Sequence, residues 1–186
     1  MTLSVKLQET IHYLRQGKIV ALPTESVFGL SCRVDKTCMK KLLKLKQRSA
    51  TKGLILLGGS WTQLARYVDN SFLTSQHIEM ITIPQKKVIT WVVPASNDAP
   101  KLLTGGRDTI AIRLTSDPFL KDICNTLGEA IISTSANIAN AQPAKDSSQV
   151  NQYFPVGIDY IYEGEIMNDN PPSKIIELLS GQVLRA

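Results

Sequence analysis

Lys18-Ile-Val-Ala-Leu-Pro-Thr-Glu-Ser-Val-Phe-Gly-Leu30 is the stretch on which the fold turns. Lys18 to Leu22 forms an apolar block of strand length, too short for a helix. Pro23 interrupts it by removing a backbone donor, and a hydroxyl (Thr24) and a carboxylate (Glu25) follow at once. Polar groups at a strand's end are where open α/β sheets hold ligands. This segment alone leaves two readings: Thr24 and Glu25 bind a small polar substrate, or they cap a turn.

Outward from it, apolar blocks bounded by turn formers recur at Gly53–Leu57, Val88–Val93, Thr109–Arg113, Ala130–Ile132, Asp159–Tyr162 and Lys174–Leu178. All read as strands. Helical stretches lie between several of them. Ser60-x-x-Gln63 has the spacing of a capping box, and Asp117-Pro118 places an N-cap before a proline at the first helical position. Thr37 to Lys46 reads as a helix, with Met39, Leu42, Leu43 and Leu45 on its apolar side and Lys40, Lys41 and Lys44 towards water. Alternating strands and helices define an α/β fold, and without a repeat or a linker one domain is expected over residues 1–186. The most irregular stretch is Ile138 to Gln149.

Composition narrows the function. With 186 residues, 43% hydrophobic and 20% charged, the chain can bury a core and is not disordered as a whole. No apolar run approaches the roughly 18 residues of a membrane span, and the opening residues lack a signal peptide's apolar core, so a cytoplasmic protein is expected. Three cysteines (Cys32, Cys38, Cys124) and two histidines (His12, His77), none in a CxxC pair, argue against a disulfide framework, a dedicated metal site and Ser-His-Asp or Cys-His catalysis. A P-loop is argued against too. In Gly53-x-x-x-x-Gly58-Gly59-Ser60 a glycine stands where the phosphate-binding lysine would be.

Charge is unevenly spread. Residues 1–60 carry 11 Lys or Arg against 3 Asp or Glu, whereas residues 61–186 carry 10 against 13. Between Arg33 and Lys52 lie eight cations and one anion, Asp35. That density favours phosphate groups, or it is a solvated helix face.

Three further segments carry chemistry. Lys46, Arg48 and Lys52 follow one another where a helix gives way to a strand, as scattered surface cations or as a set converging on a polyanion: a planar fork and two point charges suit a triphosphate. In Thr109-Ile-Ala-Ile-Arg113 alternation puts Thr109, Ala111 and Arg113 on one face. A buried arginine there needs an anion, either Asp117, Glu25 or a substrate carboxylate. Ser133-Thr-Ser-Ala-Asn137 lines a strand exit with Ser133, Ser135 and Asn137, or turns into the next helix.

Taken in order, Lys18–Leu30 with its Pro-Thr-Glu, Lys46-Gln-Arg48 as a Lys-x-Arg, and Ser133–Asn137 with its Ser-x-Asn resemble the YrdC-like family of threonylcarbamoyl-AMP synthases over nearly the whole chain. The length resembles its short, single-domain bacterial members. The resemblance implies a twisted open sheet, mixed parallel and antiparallel, with flanking helices around a basic concave cavity. It implies a nucleotidyltransferase making threonylcarbamoyl-AMP and pyrophosphate from L-threonine, bicarbonate and ATP, with Mg²⁺ arriving on ATP rather than in a protein motif. The product would serve modification of tRNA beside the anticodon, with tRNA and the proteins that transfer the group as partners and no membrane.

Carried over residue by residue, the resemblance gives Thr24, Arg113, Ser133 and Ser173 to threonine. Lys46, Arg48, Lys52, Thr109, Ser135, Asn137 and Arg185 fall to ATP, with Lys46 and Arg48 supplying electrostatic stabilisation rather than acid or base chemistry. Glu25 matches by motif without a clear role. Two departures stand out. Where many relatives have Trp-Pro-Gly-Pro, this chain has Ile83-Pro84-Gln85-Lys86-Lys87, and longer relatives have a closing C-terminal domain that is not expected here. Two other functions compete: a non-catalytic RNA-binding module using the Arg33–Lys52 run, and a carbamoyl-transfer enzyme of the same fold.

Overall fold

A computed structural model describes residues 4–85, 87–138, 141–164, 166 and 173–186. Along the chain run α1 (Val5–Arg15), β1 (Val20–Pro23), β2 (Phe28–Arg33), α2 (Lys36–Leu45), β3 (Ile55–Gly58), α3 (Trp61–Ala65), α4 (Ser75–Thr82) and β4 (Ile89–Pro94). Then come α5 (Lys101–Thr104), β5 (Thr109–Leu114), α6 (Pro118–Leu127), β6 (Ile131–Ser135), α7 (Ser147–Tyr153), β7 (Tyr160–Ile161), β8 (Lys174–Glu177) and β9 (Val183–Arg185). Two compact units share them: Met1–Ser49 with Ile131–Pro171, and Ala50–Ala130 with Pro172–Ala186.

In the first unit the strand order is β7-β1-β2-β6. β1 is antiparallel to β2 and parallel to β7, and β2 is antiparallel to β6. Val20, Ala21, Leu22, Phe28, Leu30, Cys32, Ile131 and Ile132 build its core. α2 packs on it through Cys38, Met39, Leu42 and Leu43, and starts where the Asp35 carboxylate accepts from the backbone N–H groups of Thr37 (2.9 Å) and Cys38 (3.0 Å).

In the second unit the order is β3-β5-β4-β8-β9, with β3/β5 and β4/β8 parallel and β4/β5 and β8/β9 antiparallel. Leu56, Leu57, Trp91, Val93, Ile110 and Ile112 are its buried apolar residues on these strands. The Asp117-Pro118 start holds: the Asp117 carboxylate accepts from Leu120 N at 3.1 Å and Pro118 opens α6. Ser60-x-x-Gln63 does not close as a capping box. Gln63 Oε1 accepts from Gly59 N (2.8 Å) while its amide donates to Cys124 O (3.1 Å), so the side chain links α3 to the end of α6 instead. The reciprocal box forms at Thr74 and His77, opening α4.

In each unit the strand pairings are mixed parallel and antiparallel, as expected of the fold class. The strand read at Ala130–Ile132 runs on to Ser135, because Ser133 faces Ser31 and Ser135 faces Gly29 in register with β2. Gly53–Ser60 is confirmed as no P-loop: Ile55–Gly58 is the strand β3, in parallel register with β5. Residue 86 of the Ile83–Lys87 departure and residues 139–140 of the irregular stretch lie outside the described residues.

Candidate active site

Unit one carries the Pro-Thr-Glu turn. Thr24 N–H donates to Val27 O at 3.1 Å and its hydroxyl donates to the same oxygen at 2.7 Å, so the Thr24 proton is spent on the turn and lone pairs remain to accept from a ligand. Thr24, Glu25 and Ser26 are all buried. Among the described residues the Ser26 hydroxyl meets no hydrogen-bond partner, an arrangement that normally costs ~1–3 kcal/mol. Gly29 lets two side chains approach the backbone closely. A Cβ there would lie 3.2 Å from both Ser133 Oγ and Thr24 Cγ2.

The same unit brings two distant motifs together. Lys46 follows the last turn of α2 and its ammonium is held by Ser135 O, Asn137 O (3.0 Å) and Asn137 Oδ1 (3.3 Å). Ser135 Oγ donates to Asn137 Oδ1 at 2.6 Å, and the Asn137 amide donates to Ile138 O (3.2 Å) and Ala141 O (3.0 Å), which fixes the carboxamide. All three acceptors of the buried ammonium are neutral, so its charge is oriented without being cancelled. Burial, and then the Arg48 guanidinium, bring the Lys46 pKa down from 10.5 to about 8. Gln47, between the two cations, has φ +48°, a left-handed conformation that turns the chain sharply after α2.

Unit two carries the remaining residues. Arg113, at the end of β5, is buried to 8% exposure. Arg185, on β9, donates through Nε (3.1 Å) and Nη2 (2.5 Å) to Ser173 O, and through Nη2 to Ser173 Oγ (3.1 Å). Ser173 Oγ lies 2.9 Å from Thr90 Oγ1 in a buried hydroxyl pair. Burial, and then the charge of Arg113, lower the pKa of Arg185. Two arginines close enough to oppose each other form a field that favours an anion. Thr109 opens β5 half-buried, and Lys52 is exposed on a short 3-10 turn whose Thr51 and Lys52 carbonyls are held by Arg107 at 3.1 and 3.2 Å.

Lys46, Ser135 and Asn137, all expected at ATP, meet in one hydrogen-bonded group, whereas Ser173, expected at threonine, and Arg185, expected at ATP, bond to each other. Sequence reading overlooked Thr90, Ser26, Gln47 and Arg107. Thr90 had a visible signal, a lone hydroxyl inside the apolar run Val88–Val93; Arg107 had none. Among the described residues no three His, Cys, Asp or Glu side chains gather into a metal cluster.

Mixed parallel and antiparallel strands with flanking helices, and cations held on neutral oxygens, define an α/β protein with buried positive charge. The family model Sua5_yciO_yrdC, described as telomere recombination, matches residues 12–186, and the chain belongs to the Sua5/YciO/YrdC family. A Vibrio cholerae protein named threonylcarbamoyl-AMP synthase is 37% identical over 186 residues, covering 100% of this chain and 99% of the relative. The crystal structure of P. abyssi Sua5 complexed with L-threonine superposes with a TM-score of 0.83 at 28% identity, over 92% of this chain and 50% of that one, so the chain spans about half of that protein's length. E. coli YciO shares the fold, with a TM-score of 0.78 at 22% identity over 96% of this chain and 87% of that one.

Proposed function

We propose that this protein is a threonylcarbamoyl-AMP synthase, a cytoplasmic nucleotidyltransferase that converts L-threonine, bicarbonate and ATP into threonylcarbamoyl-AMP and pyrophosphate. The observation that carries it is the buried Lys46 ammonium on three neutral oxygens, uniting the Lys-x-Arg and Ser-x-Asn motifs in a chain matched end to end by synthases. No helix of the described residues is long and apolar enough to cross a membrane.

The chemistry asks little of an acid or base. Threonine's amine and bicarbonate give a carbamate with loss of water; a carbamate oxygen attacks the α-phosphorus in line and pyrophosphate leaves. Mg²⁺ enters with the triphosphate, as part of the substrate. The protein supplies positioning and charge. In unit one, Thr24 and Ser133 serve threonine while Lys46, Arg48 and Ser135 serve the nucleotide, with Asn137 acting through Lys46. In unit two, Arg113 and Ser173 serve threonine, Arg113 taking the carboxylate with its fork, and Lys52, Thr109 and Arg185 serve the nucleotide. The product passes to tRNA through partner proteins.

Pyrophosphate release by purified protein with MgATP and bicarbonate tests this. Release should require L-threonine and bicarbonate together. Turnover of ATP indifferent to threonine, or consumption of carbamoyl phosphate instead, would refute the reading.

A further inference from the structure

Thr90 is the one hydroxyl inside the apolar run Val88–Val93, it is fully buried on β4, and the synthase reading gives it no role. Register shows what it sits beside. Trp91 lies opposite Ile112, so one step further along this antiparallel pair Thr90 comes level with Arg113. On its other side Thr90 is in register with Ile175 of β8, and Ile175 faces Arg185 of β9. Ser173, two residues before Ile175, returns to the same face by alternation. One row within the second unit thus carries Arg113, Thr90, Ser173 and Arg185.

Two groups meet at Ser173 Oγ: Thr90 Oγ1 at 2.9 Å and Arg185 Nη2 at 3.1 Å. A guanidinium only donates, so Arg185 takes one of the two lone pairs of that oxygen. The two hydroxyls hold two protons across a single contact, and one proton is left over whichever of them donates. If Ser173 donated, the stranded proton would be that of Thr90, which at 0% exposure has no other partner among the described residues, at a cost of ~1–3 kcal/mol. If Thr90 donates, the proton left over belongs to Ser173, which at 6% exposure keeps an opening. The second arrangement wins. It fills both lone pairs of Ser173 Oγ and leaves that hydroxyl a donor only.

We propose that Thr90 is a positioning residue for threonine recognition: by donating to Ser173 Oγ it turns the Ser173 proton outward, to the substrate carboxylate beside Arg113. The proposal rests on the synthase reading, which gives Ser173 to threonine. Thr90 has no exposed surface and acts only through Ser173. A hydroxyl locked as a donor accepts nothing, so the site favours an oxygen bearing lone pairs and rejects an N–H group set in its place. Selectivity for a carboxylate then has two sources in this row, the charge of Arg113 and the direction of the Ser173 proton.

The test is equilibrium titration of L-threonine, L-threoninamide and ATP into wild type, Thr90→Val, Thr90→Ser, Ser173→Ala and the double variant Thr90→Val with Ser173→Ala. Valine keeps the β-branched shape on the strand and removes the hydroxyl. Thr90→Val should bind threonine ~3–10-fold more weakly with ATP affinity kept. Its preference for threonine over threoninamide should shrink as well, because the vacated lone pair lets Ser173 accept from the amide. Thr90→Ser restores the donor and should match wild type. In the Ser173→Ala background the valine should change nothing further. Unchanged affinity and preference in Thr90→Val would overturn the proposal alone. So would equal losses of threonine and ATP, a loss in Thr90→Ser as large as in Thr90→Val, or additive losses in the double variant. A wild type that binds no L-threonine would overturn the synthase reading, and the proposal with it.

Discussion

The lysine group of the first unit and the arginine group of the second solve one problem with different chemistry. Each holds a cation on uncharged oxygens: Lys46 on Ser135 and Asn137, Arg185 on Ser173. A carboxylate partner would have cancelled the charge; carbonyls and hydroxyls aim it and leave it for a substrate. The difference is titration. An arginine keeps its proton at every working pH, whereas Lys46, with its pKa brought down to about 8, loses its proton above that pH, so the charge of the lysine group is pH-sensitive and that of the arginine group is not.

The largest effect that would break this contrast is at Arg113. Arg113→Ala should lower kcat/KM for threonine by ~10²–10³-fold with ATP binding largely kept, and Arg113→Lys should recover only part, for want of the fork. Next is Lys46→Met, expected to cost ~10²-fold in kcat/KM for ATP. Steady-state kinetics with each substrate varied in turn reads both.

Acidity sharpens the comparison further. As pH passes 8 the ATP KM should rise while the threonine KM follows no such step, and Lys46→Arg should flatten the ATP profile. Folding moves the other way. Since the folded pKa of Lys46 lies below its ordinary 10.5, the unfolded chain binds more protons between about 8 and 10.5, and this residue's contribution to stability rises with pH across that window. Denaturant melts of wild type and Lys46→Met at pH 7.5 and 9.5 would show it.

The smallest effects separate site from scaffold. Ser26→Ala removes a buried hydroxyl that has no partner among the described residues, so its melting temperature should hold or rise, and a clear drop would mean the hydroxyl stabilises the fold. Gln47→Gly relieves a left-handed residue and should stabilise by ~1 kcal/mol, with the pH profile of ATP use intact.

How much of this was legible depends on the range of the interaction. Local signals were readable: the apolar run ending at Pro23, the Asp117-Pro118 helix start, and the Ile110–Ile112 alternation in β5. β2 was overlooked because its first half, residues 28–30, sits inside the motif read for its chemistry, and β9 because three exposed residues carry no burial pattern. The Ser60–Gln63 spacing misled because Cys124 O, 61 residues away, offers the Gln63 amide a partner that no local pattern announces. Site residues were legible as types and as an order of motifs. That Lys46 rests on oxygens 89 and 91 residues downstream, and that Thr90 braces Ser173, are tertiary facts set by strand register.

The most direct test of the two-group account is calorimetric titration of ATP and of L-threonine, separately, into wild type, Lys46→Met and Arg113→Ala. The account predicts a crossed result, with Lys46→Met losing affinity for ATP and keeping threonine, and Arg113→Ala losing threonine and keeping ATP. Equal losses of both ligands in both variants, or no loss in either, would contradict it.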